Sequence, residues 1–252
     1  MTDVSPPGMS RTEASGRWPT EPIWWDRVHT LAGGVAADGV AWPLLLTPTA
    51  LDPAWAPPRG ALLVHQDLSW CAAPHRHRAA TFGSTVEWVS ARGGTVETGR
   101  RTVARDGGSV AAATLHVVRH SGEAQTHGTR PRLSVPEDAP GGGTVEETIV
   151  IPRADVLAYA ELSGSPHAVH TDVDFARSLG HRDVLVQGAL LIMRHVAETA
   201  GEDPVGRVRA WFRAPVAAGT EIEVGRSGRR RVYRAPGSDL PAVVIDMTGG
   251  DT

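Results

Sequence analysis

Leu162-Ser-Gly-Ser-Pro-His-Ala-Val-His-Thr-Asp172, followed after a short helical segment by Val186-Gln-Gly-Ala189, is the stretch on which the reading of this chain turns. It sets two histidines, His167 and His170, and one hydroxyl, Ser165, just ahead of an apolar helix that opens on glycine. Imidazole titrates near neutral pH. A helix N-terminus offers unpaired N–H groups and the positive end of a macrodipole. Together these are the parts needed to move a proton and polarise a carbonyl. Taken alone, the histidines have two other roles open to them, as zinc ligands or as surface groups on a turn. No Cys/His/Glu cluster lies close in sequence to complete a zinc site. A Ser165-His170-Asp172 hydrolase is discounted, because no Gly-x-Ser-x-Gly elbow is present and Asp172 reads as a helix cap.

Working outward, a strand at Glu147–Ile151 precedes a helix from Arg153 to Leu162 that stops at Ser163-Gly164. A short helix, Val173–Leu179, starts on Asp172 and closes at Gly180. The next helical pattern runs over Val184–Thr199, with apolar side chains covering so much of its surface that it reads as a helix wrapped by a sheet. Four strand-like runs follow, at Gly206–Arg213, Glu221–Val224, Arg230–Tyr233 and Pro241–Met247. A central helix followed by antiparallel strands is an α+β pattern.

Before Gly143 the chain is organised differently. Residues 1–20 are polar and rich in Pro and Ser, and read as a disordered tail. Residues 21–120 carry β-like runs at Ala61–Val64, Ala79–Val89, Thr95–Arg105 and Val110–Val118, separated by Gly-containing turns. Residues 121–143, ending in Pro140-Gly-Gly-Gly143, have linker composition. Residues 144–252 form the second unit. Seven of the eight tryptophans lie before the linker, and are expected mainly in the core of the first unit, with the lining of an acyl tunnel as the alternative use.

Composition removes several functions. A formal charge of -3 over 252 residues leaves no basic footprint for nucleic acid. The single Cys71 forms no internal disulfide, and no apolar run reaches the length of a membrane span, so the chain reads as cytoplasmic. All 25 basic residues are arginine. Without lysine there is no Schiff base, no pyridoxal phosphate anchor and no Gly-Lys-Ser/Thr phosphate loop. The basic runs His75-Arg-His-Arg78 and Arg229-Arg-Arg231 read as solvated faces, with contact to coenzyme A phosphates or an acidic carrier protein as the alternative.

The stretch from Tyr159 to Gly180, with Val184-Leu-Val-Gln-Gly-Ala189, resembles the hydratase signature of MaoC-like hot-dog proteins. It is most similar to the type 2 3-hydroxyacyl-thioester dehydratases and mesaconyl-CoA hydratases, a branch in which a His also stands at the position of His167. Arg209-Ala-Trp-Phe-Arg-Ala-Pro215 is similar to the strand those proteins place after the central helix. For the first half the resemblance is architectural only. It implies a double hot-dog fold in which each unit wraps an antiparallel sheet on a helix, the N-terminal helix is degenerate, and the active site comes mainly from the second unit. One chain would then mimic a dimer of single hot dogs, with further pairing into a homodimer open to it.

The implied activity is hydration or dehydration of an acyl thioester carried on coenzyme A or an acyl carrier protein, in fatty-acid or polyketide metabolism, with no cofactor and no metal. By the same resemblance His170 is the acid/base, Ser165 its partner and His167 a second titrating group. The thioester carbonyl would sit on backbone N–H groups near Gly188, flanked by Gln187 and Ala189. The sequence departs from the family pattern at that partner. The common pattern has Asp at the Ser165 position, commonly Asn in the type 2 branch, and Asn-Pro at His167-Ala168; Gln187 replaces a His. A Ser hydroxyl orients a water but is no general base at neutral pH. Two alternatives therefore stand: a redirected hot-dog enzyme performing thioester hydrolysis, isomerisation or conjugate addition, and a non-catalytic acyl-binding partner subunit.

Overall fold

The computed structural model describes residues 9–17, 21–35, 38–46, 61–71, 81–90, 96–105, 108–119, 144–164, 167–199, 206–228 and 230–249. The strands are β1 (Met9–Arg17), β2 (Ala61–Trp70), β3 (Thr81–Ser90), β4 (Val96–Arg105), β5 (Gly108–Arg119), β6 (Val145–Val150), β7 (Gly206–Phe212), β8 (Glu221–Ser227), β9 (Arg230–Arg234) and β10 (Val243–Gly249). The helices are α1 (Pro22–Leu31), α2 (Trp42–Leu45), α3 (Arg153–Ser163), α4 (Ala168–Thr171), α5 (Val173–Ser178) and α6 (Gly188–Thr199).

Among the described residues all ten strands belong to one antiparallel sheet in the order β1-β3-β4-β5-β2-β7-β10-β9-β8-β6. Read inward from its own edge, each half runs in the same order, β1-β3-β4-β5-β2 and β6-β8-β9-β10-β7. The halves meet where β2 pairs with β7, His65 opposite Trp211 and Trp70 opposite Gly206. Each half is a strand, a helical excursion and four more strands. This is the α+β double hot-dog architecture expected from the resemblance.

The helices stand on one face of the sheet. Alternation along β2 and β7 turns Leu68, Trp70, Val208 and Ala210 into a core shared with α6, α1 and α2. Five residues of α6, Leu190, Leu191, Ile192, Met193 and Ala189, are no more than 2% exposed, as its apolar girth predicted. Its positional counterpart in the first half is α2, four residues long after a single 3-10 turn at Asp38–Ala41. Trp25, Trp42 and Trp70 are buried core residues; Trp18 and Trp55 fall outside the described residues.

The two halves also interlock through α1, which the sequence reading missed. Pro22 opens it, and Gly33 and Gly34 close it with positive φ, the Gly34 N–H reaching the His29 carbonyl. Arg27 makes a two-pronged ion pair with Glu161 of α3, at 2.9 and 2.7 Å, and the Trp24 indole N–H donates to the Leu162 carbonyl. From α6, Arg194 pairs with Asp155 and donates to the Leu31 carbonyl. Arg231, expected on a solvated face, is instead buried on β9, where it reaches both Glu147 on the edge strand β6 and Glu198 on α6.

Three sequence expectations are corrected. Residues 9–17, assigned to the disordered tail, form β1; an edge strand needs only backbone partners, and β3 supplies them without demanding an apolar sequence. Strand β2 continues to Trp70 rather than stopping at Val64. Helix α6 begins at Gly188, not Val184, because residues 184–186 are extended and hydrogen-bonded to residues 216–218. The expected linker at 121–143 lies outside the described residues. Among the described residues no helix is long and apolar enough to cross a membrane.

Candidate active site

Helix α3 ends at Gly164, whose φ of 62° suits a left-handed cap that a glycine adopts without strain. The chain re-enters helix at α4, where His167 is the N-cap and its Nδ1 accepts from the Val169 N–H at 3.4 Å. This single turn ends at Asp172, whose Oδ1 then caps α5 by accepting from the N–H groups of Asp174 and Phe175 at 2.9 and 3.0 Å. The cap expected at Asp172 is therefore present, and its carboxylate is engaged there. Ser165 lies outside the described residues.

His170 sits on α4 and points back toward the segment that feeds α6. In that segment Val184 and Val186 are buried pegs, and their backbones bond outward: the Ala218 N–H donates to the Val184 carbonyl, and the Val186 N–H to the Val216 carbonyl, both at 2.8 Å. Extended backbone alternates, so Leu185 faces the other way. Its N–H donates to the Val169 carbonyl at 2.9 Å, and its carbonyl lies 2.8 Å from His170 Nδ1. Asp183 fixes the start of the segment, accepting from the Val184 N–H and pairing with Arg153 of α3.

A carbonyl only accepts, so Nδ1 of His170 carries the hydrogen and Nε2 of the neutral ring keeps its lone pair. Burial pushes the imidazole down to about 4, the Leu185 bond opposing the shift and the neighbouring His167 adding to it. At neutral pH His170 is thus an uncharged base with a fixed tautomer. The His167 ring is exposed, with its centroid 5.9 Å from that of His170. The structure places these two rings side by side.

Gly188 opens α6 three residues after Leu185. A Cβ there would lie 2.1 Å from Cε1 of Phe212 on β7, so any larger residue has to displace that ring. Gln187 is buried and its amide N donates to the Val156 carbonyl on α3 at 3.0 Å, making it a strut between helices; its Oε1 has no hydrogen-bond partner among the described residues. The Ala189 side chain is in the core. The N–H groups of Gly188 and Ala189 are the first of α6, which have no acceptor within the helix. Leu185 and Phe212 were missed in the sequence: one acts through a carbonyl every residue has, the other through a contact made only by folding. Among the described residues no three His, Cys, Asp or Glu groups could hold a metal ion, so His167 and His170 gain no third ligand there.

The sheet order and the helix placement define a double hot dog, the fold of the MaoC-like dehydratases. The structure superposes on HtdX of Mycobacterium tuberculosis with a TM-score of 0.71, covering 94% of this chain and 100% of that chain at 13% identity. A MaoC-like dehydratase from Phytophthora capsici gives 0.66, with 96% of each chain covered and 13% identity. A double hot-dog protein of Mycobacterium tuberculosis gives 0.57, covering 97% of this chain and 96% of that chain at 12% identity. By sequence the chain matches no protein-family model and no curated protein.

Proposed function

We propose that the chain hydrates or dehydrates an acyl thioester, interconverting an enoyl and a 3-hydroxyacyl group on coenzyme A or an acyl carrier protein. The observation that carries this reading is the tautomer-fixed, uncharged His170, anchored on the Leu185 carbonyl three residues before α6 begins. In the hydration direction His170 Nε2 takes a proton from water as the water oxygen bonds to C3. The C2–C3 π pair moves to C2 and is delocalised as a thioester enolate, whose oxygen is held by backbone N–H groups at Gly188 and Ala189. The imidazolium then returns its proton to C2, and dehydration runs the same steps backward.

In this reading Ser165 orients the water or the substrate hydroxyl, and the exposed His167 stands beside His170 as a second imidazole. Gln187 acts indirectly, holding the start of α6 against α3. The presence of Ser165 where a carboxylate is usual favours one second reading, a hot-dog enzyme redirected to another thioester reaction. Mass spectrometry of purified protein with a panel of enoyl and 3-hydroxyacyl thioesters separates the two. Gain or loss of one water, abolished in His170→Ala, is expected. Conversion to a product with any other mass change favours the redirected enzyme, and Ser165→Asp should then raise hydration. Binding without any product in wild type and variants overturns both in favour of a non-catalytic acyl binder.

A further inference from the structure

Gln66 is 0% exposed, on the helix-bearing face of β2, and among the described residues neither its Nε2 nor its Oε1 has a hydrogen-bond partner. It alternates with Leu68 and Trp70, which belong to the core, and stands directly opposite Leu115 on β5 and Ala210 on β7. Its surroundings on the sheet are therefore apolar. Buried amides are nearly always paired, because desolvation without compensation is costly. A Leu or Met would fill the same position at no such cost.

Position gives the amide a use. Ala210 lies two residues, about 7 Å along the strand, before Phe212, whose ring packs on Gly188. Gln66 thus lies on the seam between the two halves, displaced from the proposed carbonyl site by a short run of sheet. Across this seam α6 brings twelve helical residues and α2 only four. From this geometry we infer that Gln66 is a specificity determinant: it recognises a hydroxyl or keto substituent on the acyl chain, several carbons beyond the thioester. An amide offers a donor and an acceptor, so either group satisfies it. The inference rests on the acyl-thioester reading of the site.

The test uses paired medium-chain 3-hydroxyacyl-pantetheine thioesters, identical except for one hydroxyl or keto group in the distal half of the chain. Wild type should favour the oxygenated member by about ten- to a hundredfold in kcat/KM, since pairing relieves the buried amide of its unsatisfied state. Gln66→Leu and Gln66→Met should remove or reverse the preference, and both should fold at least as stably as wild type. A second arm reads binding alone, as thermal shifts of the His170→Ala protein with the same pairs, with and without Gln66→Leu. Turnover without preference in wild type, or a preference kept in both Gln66 variants, overturns the inference and leaves the reaction standing. A Gln66-dependent binding preference with no turnover in wild type overturns the reaction and supports the inference. Absence of binding by either member overturns both.

Discussion

At the scale of single residues, the protonation of His170 has consequences for both stability and rate. The folded protein holds its imidazole at about 4, against an ordinary value of 6.5. Between those values the unfolded chain binds the extra proton, so the stability linked to neutral His170 is complete above 6.5 and is lost as pH falls toward 4. The full difference is about 3 kcal/mol. His65, pushed down to about 4 chiefly by burial, acts in the same direction. Thermal melts should show wild type losing stability from about pH 7 to about pH 4.5, with a shallower slope for His170→Gln; equal slopes would exclude the linkage. Hydration rates should be level through neutral pH and fall only in the acid range, as Nε2 becomes protonated. The histidine pair His167 and His170 ahead of a glycine-opened apolar helix was legible in the sequence. The depressed titration was not, because it arises from burial and from a backbone carbonyl that no side-chain pattern encodes. Gln66 was illegible for a related reason: a polar residue on an inward strand position breaks the alternation that marks a strand, and the run was read as ending at Val64.

At the scale of elements, the start of α6 is set by two packed surfaces. Residues 184–186 are extended because they pair with residues 216–218, so the helix cannot begin earlier. Gly188 then brings the helix within contact of Phe212. Gly188→Ala should destabilise by about 1–3 kcal/mol through overpacking and lower turnover by moving the N–H groups. Phe212→Ala leaves room for the added methyl, so in urea unfolding the double variant should be markedly less destabilised than the sum of the singles. Additive losses would show that the ring is not what requires glycine. The apolar girth of α6 and the caps at Asp172 and Gly164 were readable from residue type. The strand β1 was not, for its pairing with β3 runs through backbone groups. Nor was α4, a single turn whose cap is an imidazole rather than the hydroxyl or carboxylate that usually marks a helix start.

At the scale of the whole molecule, the sheet is continuous across the seam and α1 of the first half is fastened to α3 and α6 of the second. The halves should therefore unfold together. Tryptophan fluorescence reports mainly on the first half, which holds seven of the eight indoles, whereas far-ultraviolet dichroism follows the helices concentrated in the second. Coincident transitions by the two probes, and a calorimetric enthalpy equal to the van't Hoff value, are expected; separated midpoints would show that the seam does not couple them. Folding should be slow, because the β2–β7 pairing closes a long stretch of chain before it stabilises anything. The repeat itself was invisible in composition, since the halves share strand order and not sequence. That shared order, with a twelve-residue helix on one side and a four-residue helix on the other, has a consequence for how such a molecule changes over generations. In a dimer of identical chains every substitution is made twice, and a change that opens one site to a new substrate also alters its twin. Here the two halves are written separately in one gene, and each is exposed to selection on its own. Under the proposed function, the first can be reshaped around the ligand while the second keeps its chemistry.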